Sequence, residues 1–315
     1  MKVLVTGAAG FIGMHLTEKL AKRGDDVVGL DNFNDIVYPS SIKRARAARL
    51  EPLPNFKMIE ADIRDADHIM EIFKAEKFDA VAHLAALAGV RNAVKYPQMY
   101  VQVDMNGTQH LMDAALATDV GNFVMASTSS VYGNTTRIPF IETDHCDRPL
   151  QPYAAAKRAA EMLGFTYHHL FGMNFTVLRF FTVYGSHGRP DMMAYLLLDS
   201  IENGTQIPLY DNGQMYRDWT HVDDNTNGII LALDKPLGYE IINIGRGEPL
   251  LLRDFVDMIE GLAGKKANLI NKPRIAADFV RNEADISKAR KLLGYDPKIS
   301  VADGVKSFWE WYANQ

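Results

Sequence analysis

Apolar residues in this chain fall in short runs that alternate with longer amphipathic stretches. Six runs read as strands: Lys2–Thr6, Asp26–Leu30, Phe56–Glu60, Ala80–Leu84, Asn122–Ser127 and Phe175–Arg179. Between them a helical period predicts helices near His15–Arg23, Ile42–Leu50, Asp67–Glu76, Met99–Ala117 and Tyr153–Leu170. This alternation predicts an α/β fold, a doubly wound parallel sheet covered by helices on both faces. Ligands of such sheets bind beyond the carboxyl ends of the strands, and Gly7, Asp31, Asp62, Ala85, Thr128 and Thr182 each follow a predicted strand. After Phe181 the alternation loosens. Gly185, Gly188, Pro190, Gly204, Pro208 and Gly213 mark loops, and helices recur near Ala194–Asn203, Leu252–Leu262 and Ser287–Leu293. The expected division is a first domain over residues 1–180 and a smaller, partly interleaved region over 181–315. Segments near 220–245, with strand-like runs at Thr220–Val222 and Glu240–Ile244, are expected to return to the first domain.

The first strand runs into G-A-A-G-F-I-G, which places Gly7, Gly10 and Gly13 at the strand-to-helix turn. Free backbone N–H groups and the helix dipole converge at such a turn and favour an anion. Glycine lets the backbone turn tightly and approach a pyrophosphate with no Cβ between them. Asp31 ends the second strand, about 20 residues on, where an acidic side chain accepts bonds from an adenosine ribose. A bare strand-to-helix turn explains the glycines alone. Strand, turn, helix, second strand and terminal Asp together point to a dinucleotide.

Composition narrows the classes. The net charge of −5, with no strongly basic run, excludes sequence-independent nucleic-acid binding as a first reading. The cations Lys43, Arg44, Arg46 and Arg49 are read as a solvated helix face. With Cys146 as the one cysteine, no internal disulfide forms, and a cytoplasmic setting is expected. Its acidic neighbours Glu142, Asp144 and Asp147 disfavour a thiolate. No apolar run reaches the roughly 20 residues of a membrane helix, so no membrane partner is expected, and no metal is called for.

Tyr153 and Lys157 form Y-A-A-A-K at a helix start, on one face at i, i+4. A phenol is a poor base at neutral pH, and a neighbouring cation favours its phenolate. Such a Tyr can take a proton from a sugar hydroxyl while hydride leaves the same carbon. The fifth strand ends in A-S-T-S-S-V-Y-G, and a hydroxyl of Thr128, Ser129 or Ser130 there can bond the reacting oxygen. An exposed Tyr–Lys pair and a self-capping strand end are the plainer alternatives.

With these motifs in view, the chain resembles the extended short-chain dehydrogenase/reductases, and within them the nucleotide-sugar epimerases. The resemblance spans nearly the whole chain. It is carried by T-G-A-A-G-F-I-G, D-N-F-N-D (Asp31–Asp35), A-D-I-R-D (Ala61–Asp65), H-L-A-A (His83–Ala86), A-S-T-S-S-V-Y-G, Y-A-A-A-K, L-R-F-F-T-V-Y-G (Leu178–Gly185), R-D-W-T-H-V-D-D (Arg217–Asp224), N-I-G (Asn243–Gly245) and A-D-I-S-K (Ala284–Lys288). D-N-F-N-D with its basic helix, A-G-V-R (Ala88–Arg91), F-F-T-V-Y-G-S-H-G-R-P-D-M (Phe180–Met192) and G-Q-M-Y-R-D-W-T look most like UDP-glucuronate 4-epimerases.

The resemblance implies a Rossmann domain for NAD and a UDP-sugar-binding C-terminal region. It implies Thr128, Tyr153 and Lys157 as the catalytic Ser/Thr, Tyr and Lys, the last two also touching the cofactor. Gly7, Gly10, Phe11, Ile12 and Gly13 are implied at the pyrophosphate, Asp31 and Asn32 at the adenosine ribose, and Asp62 and Ile63 along the adenine. Leu84, Ala85 and Ala86 are implied on the path to the nicotinamide. Asp31, an acid, disfavours a 2′-phosphate, so NAD is expected over NADP. On the substrate side the implied residues are Arg91, Ser129, Ser130, Thr182, Arg189, Arg217 and Asp278. Loop ion pairs are the plainer account of Arg189 and Arg217, whose guanidinium groups suit oxyanions.

Related dehydratases and decarboxylases carry an acid just before V-Y-G, where this chain has Ser129 and Ser130. Elimination then lacks general-acid help, whereas epimerisation needs only hydride out and back. The expected reaction is 4-epimerisation of a UDP-sugar, UDP-glucuronate first. UDP-galactose, UDP-N-acetylhexosamine, a reductase or dehydratase of the same fold, and a non-enzymatic dinucleotide sensor are the alternatives. Asp104 stands in place of the usual Asn of N-x-x-G, Leu196 in place of a Lys, and Ala276–Val280 in place of G-D-x-P. The resemblance also implies a homodimer built from the helices near Met99–Ala117 and Tyr153–Leu170. Ala155, Ala159, Met162, Leu163 and Phe165 make the second helix more apolar than one sheet-facing stripe requires.

Overall fold

The structure, a computed structural model, describes residues 1–274 and 279–314, with their side chains except those of Val90 and Arg91. Among the described residues the central sheet has seven parallel strands. They are β1 (Lys2–Thr6), β2 (Asp26–Asp31), β3 (Phe56–Glu60), β4 (Ala80–His83), β5 (Asn122–Thr128), β6 (Phe175–Phe180) and a seventh at Tyr239–Ile244. The order across the sheet is Tyr239–Ile244, β6, β5, β4, β1, β2, β3. β1 pairs with β2 on one side and β4 on the other, so the winding reverses between β1 and β4. A crevice opens beyond the carboxyl ends there. This is the doubly wound Rossmann architecture.

Successive side chains of a strand point to opposite faces, and β1 shows the result. Val3 and Val5 enter a core with Leu16 and Leu20 of helix α1 (Phe11–Arg23) and Ile229 of the Val222–Leu233 helix. Leu4 enters the other core, with Ile69 and Phe73 of a helix at Ala66–Glu76 and Leu111 of one at Thr108–Ala117. All three β1 residues are fully buried, which is why this strand reads as a continuous apolar run.

A third core lies in the C-terminal half, among the helices Met193–Asn203, Leu252–Ala263 and Val301–Ala313. Trp219 stacks on Phe255 at 3.7 Å between ring centroids. Asp218 ties distant parts of the C-terminal half together. Its carboxylate accepts the backbone N–H groups of Arg246 (2.6 Å), Gly247 (2.8 Å) and Ala284 (3.2 Å). A buried pair also braces β6: Arg179 donates to Glu161 at 2.7 and 3.1 Å, both side chains being fully buried.

The structure departs from the sequence reading at several elements. The strand near Thr220–Val222 is Trp219–His221, and it pairs with Thr182–Tyr184 rather than with the central sheet. Tyr239–Ile244 does join the sheet, beside β6. The single helix expected over Met99–Ala117 is a short turn (Pro97–Tyr100), a π-helical segment (Val101–Gly107) and a helix (Thr108–Ala117). Periodicity cannot register one extra residue in a turn. The basic helix α2 (Ser40–Leu50) carries only half of the expected solvated cationic face, since Arg44 and Arg49 are exposed and the other two cations are not. Lys43 and Arg46 are buried, and Arg46 donates to the carbonyls of His187 (2.8 Å) and Gly188 (3.0 Å) and to the Tyr38 hydroxyl (2.9 Å). The carbonyl oxygens of that loop need donors, and the guanidinium fork supplies them. Among the described residues no helix is long and apolar enough to cross a membrane.

Candidate active site

The Gly7 amide donates to the Leu30 carbonyl at 2.7 Å and the Gly10 amide to the Gly7 carbonyl at 2.9 Å, which closes the turn after β1. Gly7 has φ +71°, and a Cβ there would sit 2.8 Å from the Ala85 nitrogen. A Cβ on Gly13 would meet the Gly7 oxygen at 2.0 Å. α1 starts here with Gly10 as its cap, no capping side chain and no acid in its first turn. Its first N–H groups are therefore directed at the crevice and available to an anion. This cradle, which any Cβ would fill, fits a pyrophosphate.

At the end of β2, Asp31 accepts the amides of Phe33 (2.9 Å) and Ala9 (3.2 Å). Burial pushes its carboxyl above the usual value, opposed first by the Lys43 charge. Beyond β3, Arg64 clamps Asp62 at 2.7 and 3.0 Å and holds it down at about 2, while Asn32 donates to it at 2.9 Å. After β4 the Thr6 hydroxyl oxygen accepts the Leu84 and Ala85 amides (3.2 and 3.1 Å). It also meets His83 Nδ1 at 2.7 Å, and His83 Nε2 meets the Thr108 hydroxyl at 2.9 Å. Burial holds the His83 ring far below its usual pKa, so it is neutral.

β5 ends at Thr128, whose hydroxyl oxygen caps the following 3-10 turn (Ser129–Tyr132) through the Ser130 amide at 3.1 Å. The helix Pro152–Phe171 begins with Pro152 in its first turn, and the Gln151 side chain accepts the Tyr153 amide at 2.7 Å. That start sets Tyr153 close to Thr128, whose hydroxyl favours the ionised phenol. Burial pushes the Tyr153 phenol above its usual pKa, and the Asp104 carboxylate adds to the effect; Arg189 and Thr128 oppose it. Lys157 is buried, its Nζ has no hydrogen-bond partner among the described residues, and burial lowers its pKa.

On the far side Arg189 donates to Asp191 at 3.0 and 2.7 Å and to the Ala88 carbonyl at 3.1 Å. Arg217 donates to the carbonyls of Tyr216 (2.8 Å) and Phe279 (3.0 Å). For Arg189 the plainer account, a loop ion pair, therefore holds for part of its bonding capacity. All the sequence-predicted site residues with described side chains line one cavity of about 720 Å³. They are Gly7, Gly10, Phe11, Ile12, Gly13, Asp31, Asn32, Asp62, Ile63, Leu84, Ala85, Ala86, Thr128, Ser129, Ser130, Tyr153, Lys157, Thr182, Arg189 and Arg217. Arg91 lies on the Val90–Lys95 helix with its side chain outside the described residues, and Asp278 is outside them altogether.

The cavity residues that were not predicted as site residues include Lys43 and Asn282. Lys43 bonds the Asn34 carbonyl at 2.8 Å beside Asp31, and Asn282 donates to the Ser129 hydroxyl at 2.9 Å. Lys43 was visible only as one cation in a basic helix. Asn282 lies next to a stretch that departs from the usual pattern, which was the only signal it gave. Cys146 is buried, and burial pushes its thiol up to about 11, so no thiolate forms there.

The pattern of the NAD dependent epimerase/dehydratase family matches residues 3–245. The chain belongs to that family. A UDP-glucuronate 4-epimerase of Thermodesulfobacterium geofontis is 43% identical over 309 residues, 98% of this chain and 95% of its own. The crystal structure of a Bacillus cereus UDP-glucuronic acid 4-epimerase, in complex with UDP-glucuronic acid and NAD, superposes with a TM-score of 0.92. That pair is 35% identical, with 100% of this chain and 99% of the other covered. A dTDP-glucose 4,6-dehydratase of Streptomyces venezuelae, with NAD bound, also reaches 0.92, at 29% identity over 100% and 97% of the two chains. The fold therefore serves both reactions, and the side chains must tell them apart.

Proposed function

We propose that this protein is an NAD-dependent UDP-sugar 4-epimerase that interconverts UDP-glucuronate and UDP-galacturonate. One observation carries the choice of reaction. Among the described residues the acids lining the cavity are Asp31, Asp62 and Asp191. Asp31 and Asp62 stand at the cofactor end, and Asp191 is paired with Arg189. Ser129 and Ser130 occupy the position from which a carboxyl group assists elimination in the related dehydratases. Epimerisation needs no such acid.

In this reading Gly7, Gly10, Phe11, Ile12 and Gly13 hold the NAD pyrophosphate. Asp31 and Asn32 hold the adenosine ribose, and Asp62 and Ile63 border the adenine. Leu84, Ala85, Ala86 and Lys157 border the nicotinamide riboside. The chemistry NAD supplies when bound is reversible hydride transfer at the sugar C4. Tyr153 takes the C4 hydroxyl proton and returns it, Thr128 bonds the same oxygen, and Lys157 faces the phenol with its charge. Thr182, Ser129 and Ser130 offer hydroxyls to the sugar, Arg189 a cation to its carboxylate, and Arg217, with Arg91 and Asp278, contacts to the nucleotide half.

We further infer a homodimer. Met162, Phe165 and Leu170 are more than half exposed along the Pro152–Phe171 helix, and Val101 is exposed on the π-helical segment packed beside it. A second copy of the pair would cover them. A cytoplasmic role supplying an activated sugar acid to polysaccharide synthesis fits this reading. Incubation with UDP-glucuronate, UDP-galactose and UDP-N-acetylglucosamine, with products resolved by chromatography, tests the proposal. UDP-galacturonate should form without added cofactor; net consumption of NADH, or no conversion of any of the three, would sink it.

A further inference from the structure

The π-helical segment Val101–Gly107 packs against the helix that carries Tyr153 and Lys157. It holds Asp104, which is fully buried. Asp104 Oδ1 accepts the Leu87 amide at 2.9 Å, while Oδ2 has no partner among the described residues. Lys157 Nζ is likewise buried without a hydrogen-bond partner there. A buried carboxylate and a buried ammonium, each with unused hydrogen-bonding capacity, are tolerated together because each offsets the other's desolvation. Resting on the reading above, we propose that Asp104 is a positioning residue whose carboxylate competes with the Tyr153 phenolate for the single positive charge of Lys157.

The surroundings give that competition few other participants. The Pro152–Phe171 helix brings Tyr153, Lys157 and Glu161, and Glu161 is already bonded to Arg179, Arg158 and Ser127. The turn before the segment brings Tyr100, whose ring meets that of Tyr153 edge to face at 6.0 Å. β4 brings neutral His83, joined through Thr108, which also bonds the Asp104 carbonyl at 2.8 Å. Beyond β6, Arg189 is paired with Asp191. On the Thr108–Ala117 helix, His110 turns to the Ile63 carbonyl and Asp113 to the Tyr167 hydroxyl. Burial lifts the Asp104 carboxyl to about 7, with Lys157 opposing. Asp104 therefore ionises before the phenol, and its carboxylate then opposes the Tyr153 phenolate. The two titrations are coupled.

Asp104→Asn keeps an acceptor for the Leu87 amide and removes only the charge. An anion near Tyr153 disfavours the phenolate, so its removal lowers the phenol's pKa. Activity that requires the phenolate is then lost at a lower pH. The acid limb of kcat/KM should move down by about one unit or more, which is about tenfold faster turnover on that limb. Superimposable profiles would overturn the proposal. A readout independent of turnover is the phenolate absorbance of Tyr153, taken as each holoenzyme minus its Tyr153→Phe counterpart; it should shift in the same direction. Should the variant not fold, ring-labelled wild-type protein decides. The Tyr153 resonance should move in two steps, one as Asp104 ionises and one as the phenol does, and a single step refutes the competition. If wild-type protein converts no UDP-sugar, the functional reading falls while these titrations still decide the Asp104 pairing.

Discussion

Removing the Arg189 side chain separates a carboxylate-binding role from a scaffold role. Arg189 donates through Nε and Nη2 to Asp191 and through Nη2 to the Ala88 carbonyl. The two Nη1 donors are what remains of the fork for a sugar acid. A charged hydrogen bond contributes about 1.5–3 kcal/mol, so Arg189→Ala should lower kcat/KM for UDP-glucuronate by roughly ten- to a hundred-fold. The same change strands Asp191 and the Ala88 carbonyl, which harms the loop for any substrate. The diagnostic is therefore a ratio. Measured side by side, kcat/KM for UDP-glucuronate over that for UDP-galactose should collapse about ten-fold or more in the variant, because a neutral hexose never used the charge. Arg189→Lys keeps the charge but loses the fork, so the ratio should recover in part. Equal losses on both sugars would show that Arg189 serves only Asp191 and Ala88, and the carboxylate assignment would be refuted.

Tyr153→Phe should lower kcat by about 10²–10⁴ while denatured protein still releases NAD in stoichiometric amount; near-wild-type turnover removes Tyr153 from its role. Gly13→Ala places a Cβ 2.0 Å from the Gly7 oxygen, so the purified variant should be free of cofactor; full NAD occupancy would refute the pyrophosphate cradle. Glu161→Gln breaks a buried pair and should destabilise the fold by about 3–5 kcal/mol, read as a lowered urea midpoint. Phe165→Asp should turn a dimer into a monomer by light scattering, and a wild-type monomer refutes the interface outright.

The sheet was legible because buried strands of a parallel sheet leave uninterrupted apolar runs, as Val3–Val5 and Phe123–Met125 do. The cradle was legible because the fold permits only glycine at Gly7 and Gly13. What escaped lies where polar groups answer to partners far along the chain. Arg46 is buried because its acceptors are 141 and 142 residues away, and nothing in the local pattern of α2 encodes that. Asp104 gave a compositional signal, an acid where an amide is usual, but its meaning needed the π-helical turn that sets it in the same buried region as Lys157. The Val222–Leu233 and Val301–Ala313 helices were also missed. The first opens with V-D-D-N-T-N-G, a polar stretch that hides its period, whereas the second has 13 residues with Val301, Val305, Phe308 and Tyr312 at helical spacing, a period the sequence does carry.

That an epimerase and a dehydratase superpose on this chain equally well locates the difference in chemistry. On the proposed function it does not reside in the sheet, the glycine turn or the Tyr153–Lys157 helix, since each is assigned to hydride transfer at C4 whatever follows. It resides in what the 3-10 turn after β5 presents to the neighbouring sugar carbon. Here the turn presents Ser129 and Ser130, and Asn282 reaches across 153 residues to hold the Ser129 hydroxyl. That donor occupies the Ser129 oxygen and leaves the serine's own proton to be given elsewhere, and a neutral hydroxyl is no general acid for expelling a hydroxyl group. On the proposed function, that turn of four residues and one distant amide would set the reaction type on a framework that allows either outcome.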